Sequence, residues 1–198
     1  MKNKKKSFTD YMWIISATYL ILGLFNILFA WLGLLCFLIP LIISISGHGK
    51  TYCNTYCGRG QLLNLIGDKL KLSRYKDIPK FLRSKYFRYG FLTFFMTMFV
   101  VMLFNTYLVF IGASNLKEVI KLLWTFKVPW NWVDTSIVAP WVAQFAFGFY
   151  SMMLTSTILG IITMLLFKPR SWCVYCPMGT MTQLISKAKY NPEKSTTI

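Results

Sequence analysis

Four of the five cysteines fall into two short-spaced pairs: Cys53 and Cys57 in Tyr52-Cys53-Asn54-Thr55-Tyr56-Cys57, Cys173 and Cys176 in Trp172-Cys173-Val174-Tyr175-Cys176. Thiolates at such spacing can ligate a metal, close a disulfide or exchange disulfides. The surroundings of the pairs also match. Lys50-Thr51-Tyr52-Cys53 parallels Arg170-Ser171-Trp172-Cys173, and Cys57-Gly58-Arg59-Gly60-Gln61-Leu62 parallels Cys176-Pro177-Met178-Gly179-Thr180-Met181. An amphipathic segment follows each pair, at 61–72 and 180–188. This self-similarity reads as a duplicated unit of hairpin, cysteine loop and surface helix. The fifth cysteine, Cys36, stands alone in an apolar run and reads as a small packing residue.

The elements that must carry these loops are apolar. Hydrophobic residues make up 56% of the chain and charged ones only 14%, against roughly 25% charged in ordinary globular domains. The apolar residues lie in long blocks rather than at amphipathic spacing, which favours lipid-embedded helices over a soluble core. The block 11–45 is too long for a secretory h-region of about 7–15 residues, so the basic N-terminal stretch is expected to be retained. At about 20 residues per crossing, the block divides into two spans, 11–30 and 32–46, with a bend near 30–33 and Pro40 inside the second. Two further spans are expected at 89–111 and 141–167. The expected fold is therefore all-α: four transmembrane helices as two hairpins in a parallel pseudo-repeat. Repeat one covers 11–72, repeat two covers 89–189, and 1–10 and 190–198 are tails.

Lys and Arg set the orientation. Nineteen of the 22 lie before the first span, between the second and third, or after the fourth; only Lys117, Lys121 and Lys127 fall elsewhere. The positive-inside rule places both termini and both cysteine loops in the cytoplasm, in a cell (inner) membrane. Because the +16 charge sits beside membrane spans, it points to a lipid bilayer and not to nucleic acid. In the opposite loop, Leu116, Val119, Ile120, Leu122, Leu123 and Phe126 recur at near-helical spacing, which predicts a helix lying on the outer surface. Trp124, Trp130, Trp132 and Trp141 would form an aromatic belt there.

Four thiols on one side, brought together by a pseudo-two-fold, can hold a metal centre. A reducing cytosol disfavours disulfides. Zinc and an iron–sulfur cluster both accept four sulfurs, and a Pro directly after a ligand cysteine, as at Pro177, recurs in ferredoxin runs. Lys50, Arg59 and Arg170, with Lys168, lie close enough in sequence to stabilise the negative charge of a reduced cluster. The sole histidine, His48, excludes a bis-histidine haem and is a candidate hydrogen-bond donor beside the centre. The middles of the spans carry no Asp, Glu, Lys, Arg or His, which disfavours ion pumping. No catalytic constellation is present.

The two loops, Tyr52 to Gly60 and Trp172 to Thr180, resemble those of membrane-bound ferredoxin-type 4Fe-4S proteins of the NapH and NosR kind. Those proteins carry paired C-x-x-x-C-P loops after membrane helices and take part in electron transfer. Here Gly58 stands where the family has Pro, the second pair has two intervening residues instead of three, and the family's soluble ferredoxin domain is absent. The resemblance implies one cluster on Cys53, Cys57, Cys173 and Cys176. A [4Fe-4S] centre is the simplest stoichiometry, with [2Fe-2S] or Zn meeting the same count. It further implies an electron-transfer subunit, supplied by a cytoplasmic ferredoxin, flavoprotein or quinol and serving a membrane or extracytoplasmic acceptor. The competing readings are a zinc-stabilised scaffold or assembly factor and a membrane thiol–disulfide oxidoreductase.

Overall fold

A computed structural model describes residues 11–48, 52–117, 119–122, 126–129 and 138–190. The side chain of His48, all of Lys50, and Trp124, Trp130 and Trp132 lie outside the described residues.

The first apolar block does break into two helices, but earlier than its composition suggests. Helix α1 (Met12–Phe25) ends at Asn26, whose backbone is extended (φ −142°, ψ 115°). The Asn26 side chain accepts a hydrogen bond from the Leu28 amide at 3.0 Å, and its own N–H donates to the Leu22 carbonyl at 2.8 Å. A short polar side chain that competes for backbone groups ends a helix more effectively than the small residues at 30–33. A 3₁₀ turn (Ile27–Trp31) then leads into α2 (Leu32–Ile43) and a wide π turn (Ser44–His48). A second π turn, Tyr52–Tyr56, carries the first cysteine loop into the short helix α3 (Gly58–Asn64).

After α4 (Lys80–Arg83) come the two longest helices, α5 (Lys85–Phe110, 26 residues) and α6 (Pro140–Leu166, 27 residues). At 1.5 Å per residue each is about 40 Å long, enough for a hydrocarbon core of about 30 Å. Among the described residues, three segments are long and apolar enough to cross a membrane: Ile27–Ser46, Lys85–Phe110 and Pro140–Leu166. Helix α1 is apolar but shorter, at 14 residues. The outward faces of α2 and α5 expose Ile42, Val100, Phe104 and Phe110, the pattern expected where lipid is the solvent.

Helix α6 is the hub of the structure. It buries residues on every face, with α5, the 27–31 turn and the second cysteine loop packed around it. Small residues allow these close approaches. A Cβ on Gly148 would collide with the Met102 side chain, and one on Gly160 would press Leu63 at 3.1 Å and Trp172 at 3.5 Å. The Tyr150 hydroxyl donates to the Leu20 carbonyl at 2.8 Å, fastening α1 to α6.

The loop between α5 and α6 differs from expectation. In place of a surface helix, an antiparallel hairpin pairs β1 (Val119–Leu122) with β2 (Phe126–Pro129), in the register Ile120↔Val128 and Leu122↔Phe126. The fold is thus mostly helical rather than all-α. Both periodicities were available to the segment, and burial decided between them. Ile120 is fully buried against Ile27, Ala30, Ala146, Phe147 and Tyr150. A β-branched Val-Ile pair suits a strand that sends one residue inward. Trp141 stands in the first turn of α6, its ring edge-on to Phe110 at 5.9 Å. The chain closes with α7 (Pro177–Tyr190), which covers the predicted amphipathic segment 180–188.

Candidate metal centre

Each loop ends with a cysteine directly before a helix. Cys57 precedes α3 and its sulfur accepts a hydrogen bond from the Gly60 amide at 3.4 Å. Cys176 precedes α7, with Pro177 in the first helical position, where its missing N–H costs nothing. The Gly179 amide donates to the Cys176 sulfur. The Cys-x-x-Gly parallel in the sequence is therefore a parallel in structure, with each sulfur capping a helix.

The two loops also reach into each other. A Cβ built on Gly60 would lie 3.6 Å from Sγ of Cys57, in its own loop, and 3.5 Å from Sγ of Cys173, in the other. A Cβ on Gly179 would lie 4.0 Å from Cβ of Cys176, in its own loop, and 4.0 Å from Sγ of Cys53, in the other. Each glycine thus faces the second cysteine of its own loop and the first cysteine of its counterpart. Residues separated by more than a hundred positions meet at one place. The Thr182 hydroxyl on α7 lies 3.9 Å from Sγ of Cys53, and Ser44 donates to the Thr182 carbonyl at 2.7 Å.

All four thiols line one cavity of about 670 Å³, together with Gly60, Gly179 and Arg59. Among the described residues, no three His, Cys, Asp or Glu side chains gather closely enough to hold a single metal ion. Four thiols around one cavity can supply the ligands of a polynuclear sulfur-bridged group. Cys36 also lines this cavity. The sequence separated it from the pairs, and nothing in its local context marks it otherwise.

Burial governs the chemistry of the second pair. It pushes Cys173 up to about 12, the neighbouring Cys176 and Cys57 adding to the rise and Arg170 opposing it. Burial likewise raises Cys176, against the pull of the Gly179 and Met178 amides. Without a metal these two groups are neutral thiols at pH 7, and metal uptake must displace their protons.

The second loop sits in an aromatic shell. Trp172, 2% exposed, is edge-on to Phe91 at 5.8 Å and to Tyr175 at 5.0 Å. Tyr175 in turn meets Phe87 at 5.6 Å and Phe91 at 5.5 Å. In the first loop, Tyr52 stacks on Tyr56 at 6.5 Å.

The cations predicted from sequence separate into distinct cases. Arg170 is exposed, and Lys168 forms a surface ion pair with Asp77. Arg59 turns inward. Its guanidinium donates to Ser156 Oγ at 2.6 Å, to Tyr19 OH at 3.0 Å and to Met153 Sδ at 2.9 Å. Burial opposes its charge, but the Tyr19 hydroxyl and the nearby Cys176 and Cys57 outweigh burial, so its pKa rises and it stays protonated. Tyr19 and Ser156 were not among the predicted site residues. The available signal was a polar hydroxyl in the middle of an apolar helix.

No curated protein and no solved structure gives a significant match to the chain. Residues 29–76 and 151–192 match the model of a 4Fe-4S binding domain, one cysteine pair falling in each stretch. The match supports binding of a [4Fe-4S] cluster by these two stretches.

Proposed function

We propose that Cys53, Cys57, Cys173 and Cys176 together ligate one [4Fe-4S] cluster, and that the chain is a membrane electron-transfer subunit of the NapH and NosR kind. The observation that carries this reading is the reciprocal placement of Gly60 and Gly179, each beside cysteines of both loops. The cluster, when bound, supplies a one-electron redox couple. The chain supplies four thiolates, helix-terminal amides on Cys57 and Cys176, and a cavity partly closed to water by Trp172 and Tyr175.

In this reading α1 and the Ile27–Ser46 segment form one hairpin, α5 and α6 form the other, and the two make a parallel pseudo-repeat in the cell membrane. The distribution of Lys and Arg supports cytoplasmic loops and termini. A cytoplasmic ferredoxin, flavoprotein or quinol supplies electrons, and a partner in or beyond the membrane accepts them. A centre at one face cannot by itself cover a core about 30 Å thick, so a further cofactor or subunit is implied.

Anaerobic purification tests the proposal directly. The expected result is a brown protein with about four iron and four sulfide per chain and an EPR signal on reduction. A colourless protein containing zinc would reject the electron carrier in favour of a scaffold. Labelling the two cysteine pairs from opposite faces of the membrane would reject the shared site.

A further inference from the structure

Arg59 is the one cation described beside the thiols whose head group is turned into the protein. It leaves the first cysteine loop two residues after Cys57 and ends between α1 and α6, where Tyr19 and Ser156 hold its two terminal nitrogens. Its Nε is buried and has no hydrogen-bond partner, while the residue as a whole faces the cavity that the four cysteines line. A buried cation with an unused donor, held by three side chains from two other helices, is more than a topological marker. Exposed Arg170 and the ion-paired Lys168 differ in kind, since water and salt screen their charges.

We propose that Arg59 sets the reduction potential of the cluster, with Tyr19 and Ser156 as the residues that position it. The inference rests on the cluster assignment above. One-electron reduction, [4Fe-4S]²⁺ + e⁻ → [4Fe-4S]⁺, adds a negative charge in a poorly solvated site. A fixed positive charge nearby stabilises the reduced form more than the oxidised one, because Coulomb energy falls off slowly where the dielectric is low. The guanidinium is prevented from swinging to water, so the effect does not fade with ionic strength as that of a surface charge would.

The test is an EPR-monitored redox titration of the full chain in detergent, with dithionite as reductant and iron and sulfide measured on each sample. Arg59→Gln, with its cluster intact, is expected to lower the equilibrium constant for reduction about tenfold, a downward shift of about 59 mV for a one-electron couple. Arg59→Lys keeps the charge and should recover most of that shift. Tyr19→Phe combined with Ser156→Ala should move the potential in the same direction by less. Arg170→Gln should give a smaller shift that shrinks at high salt, while the Arg59→Gln shift persists.

An unchanged potential in Arg59→Gln with full iron content overturns the proposal. If Arg59→Gln fails to retain the cluster, the Tyr19→Phe/Ser156→Ala variant decides: a downward shift supports the role of Arg59, and an unchanged potential overturns it. A wild-type protein with no cluster signal would instead remove the assignment on which this inference rests.

Discussion

The two cysteine loops share a sequence plan but are held in place by different physics. The second is seated by apolar contact: Trp172 and Tyr175 interlock with Phe87 and Phe91 of α5, and Pro177 starts α7. Among the described residues, the first has no such shell. It is hooked into the bundle by one charged side chain, Arg59, and pressed against α1 at Gly58. There a Cβ would meet the Met12 carbonyl oxygen at 2.5 Å and Cβ of Ser16 at 3.2 Å. This explains why glycine stands where the second loop has proline: no side chain, and no ring, fits between α3 and α1. The two loops thus share matched cysteine spacing while each finds its own support.

Removing a sulfur tests what the loops have in common. Cys53→Ala and Cys173→Ala should each abolish the cluster, leaving iron and sulfide near background; survival of the cluster in either variant would mean that one loop suffices. Removing support should separate them. Trp172→Ala is expected to destabilise the fold by about 3–5 kcal/mol, as truncation of a buried aromatic does, measured by denaturant or thermal unfolding in detergent. If Tyr56→Ala in the first loop cost as much, the contrast in packing would be wrong, since Tyr56 is 42% exposed.

Gly58→Ala should cost less, about 1–3 kcal/mol from overpacking against α1. Pro177→Ala, at the matching position, should stay within about 1 kcal/mol because it removes only a preset φ. Equal costs would erase the steric distinction between the loops.

The gentlest test concerns the thiols of the metal-free chain. With Cys173 held at about 12, the reactive thiolate is scarce at neutral pH, and its fraction grows as pH rises toward that value. Alkylation at Cys173 should accelerate roughly tenfold per pH unit between pH 8 and 11, when rates are read by peptide mass spectrometry. A plateau near pH 9 would show that burial does not protect this thiol.

Much of this architecture was legible beforehand, and the reasons are local. A run of apolar residues long enough for a helix reads the same wherever it packs, so α5 and α6 lie within a few residues of the expected 89–111 and 141–167. The pairing of Cys57 with Gly60 and of Cys176 with Gly179 was likewise visible as matched spacing. Asn26 was passed over because composition pointed to the small residues at 30–33, although its side chain carried the stop signal. The segment between α5 and α6 was misread because its apolar residues satisfied a helical period, while the core contact of Ile120 that favours a strand comes from α6 and the 27–31 turn.

What the sequence determined by itself is the set of apolar segments, the side on which positive charge accumulates, and two equivalent cysteine motifs, since each depends on neighbours along the chain. What only the tertiary structure decided is which distant groups meet: Cys53 beside Gly179, Cys173 beside Gly60, Cys36 in the same cavity, and Arg59 on Ser156, 97 residues away. Those contacts follow from how helices pack in three dimensions, and hydropathy and spacing along one chain carry no record of that.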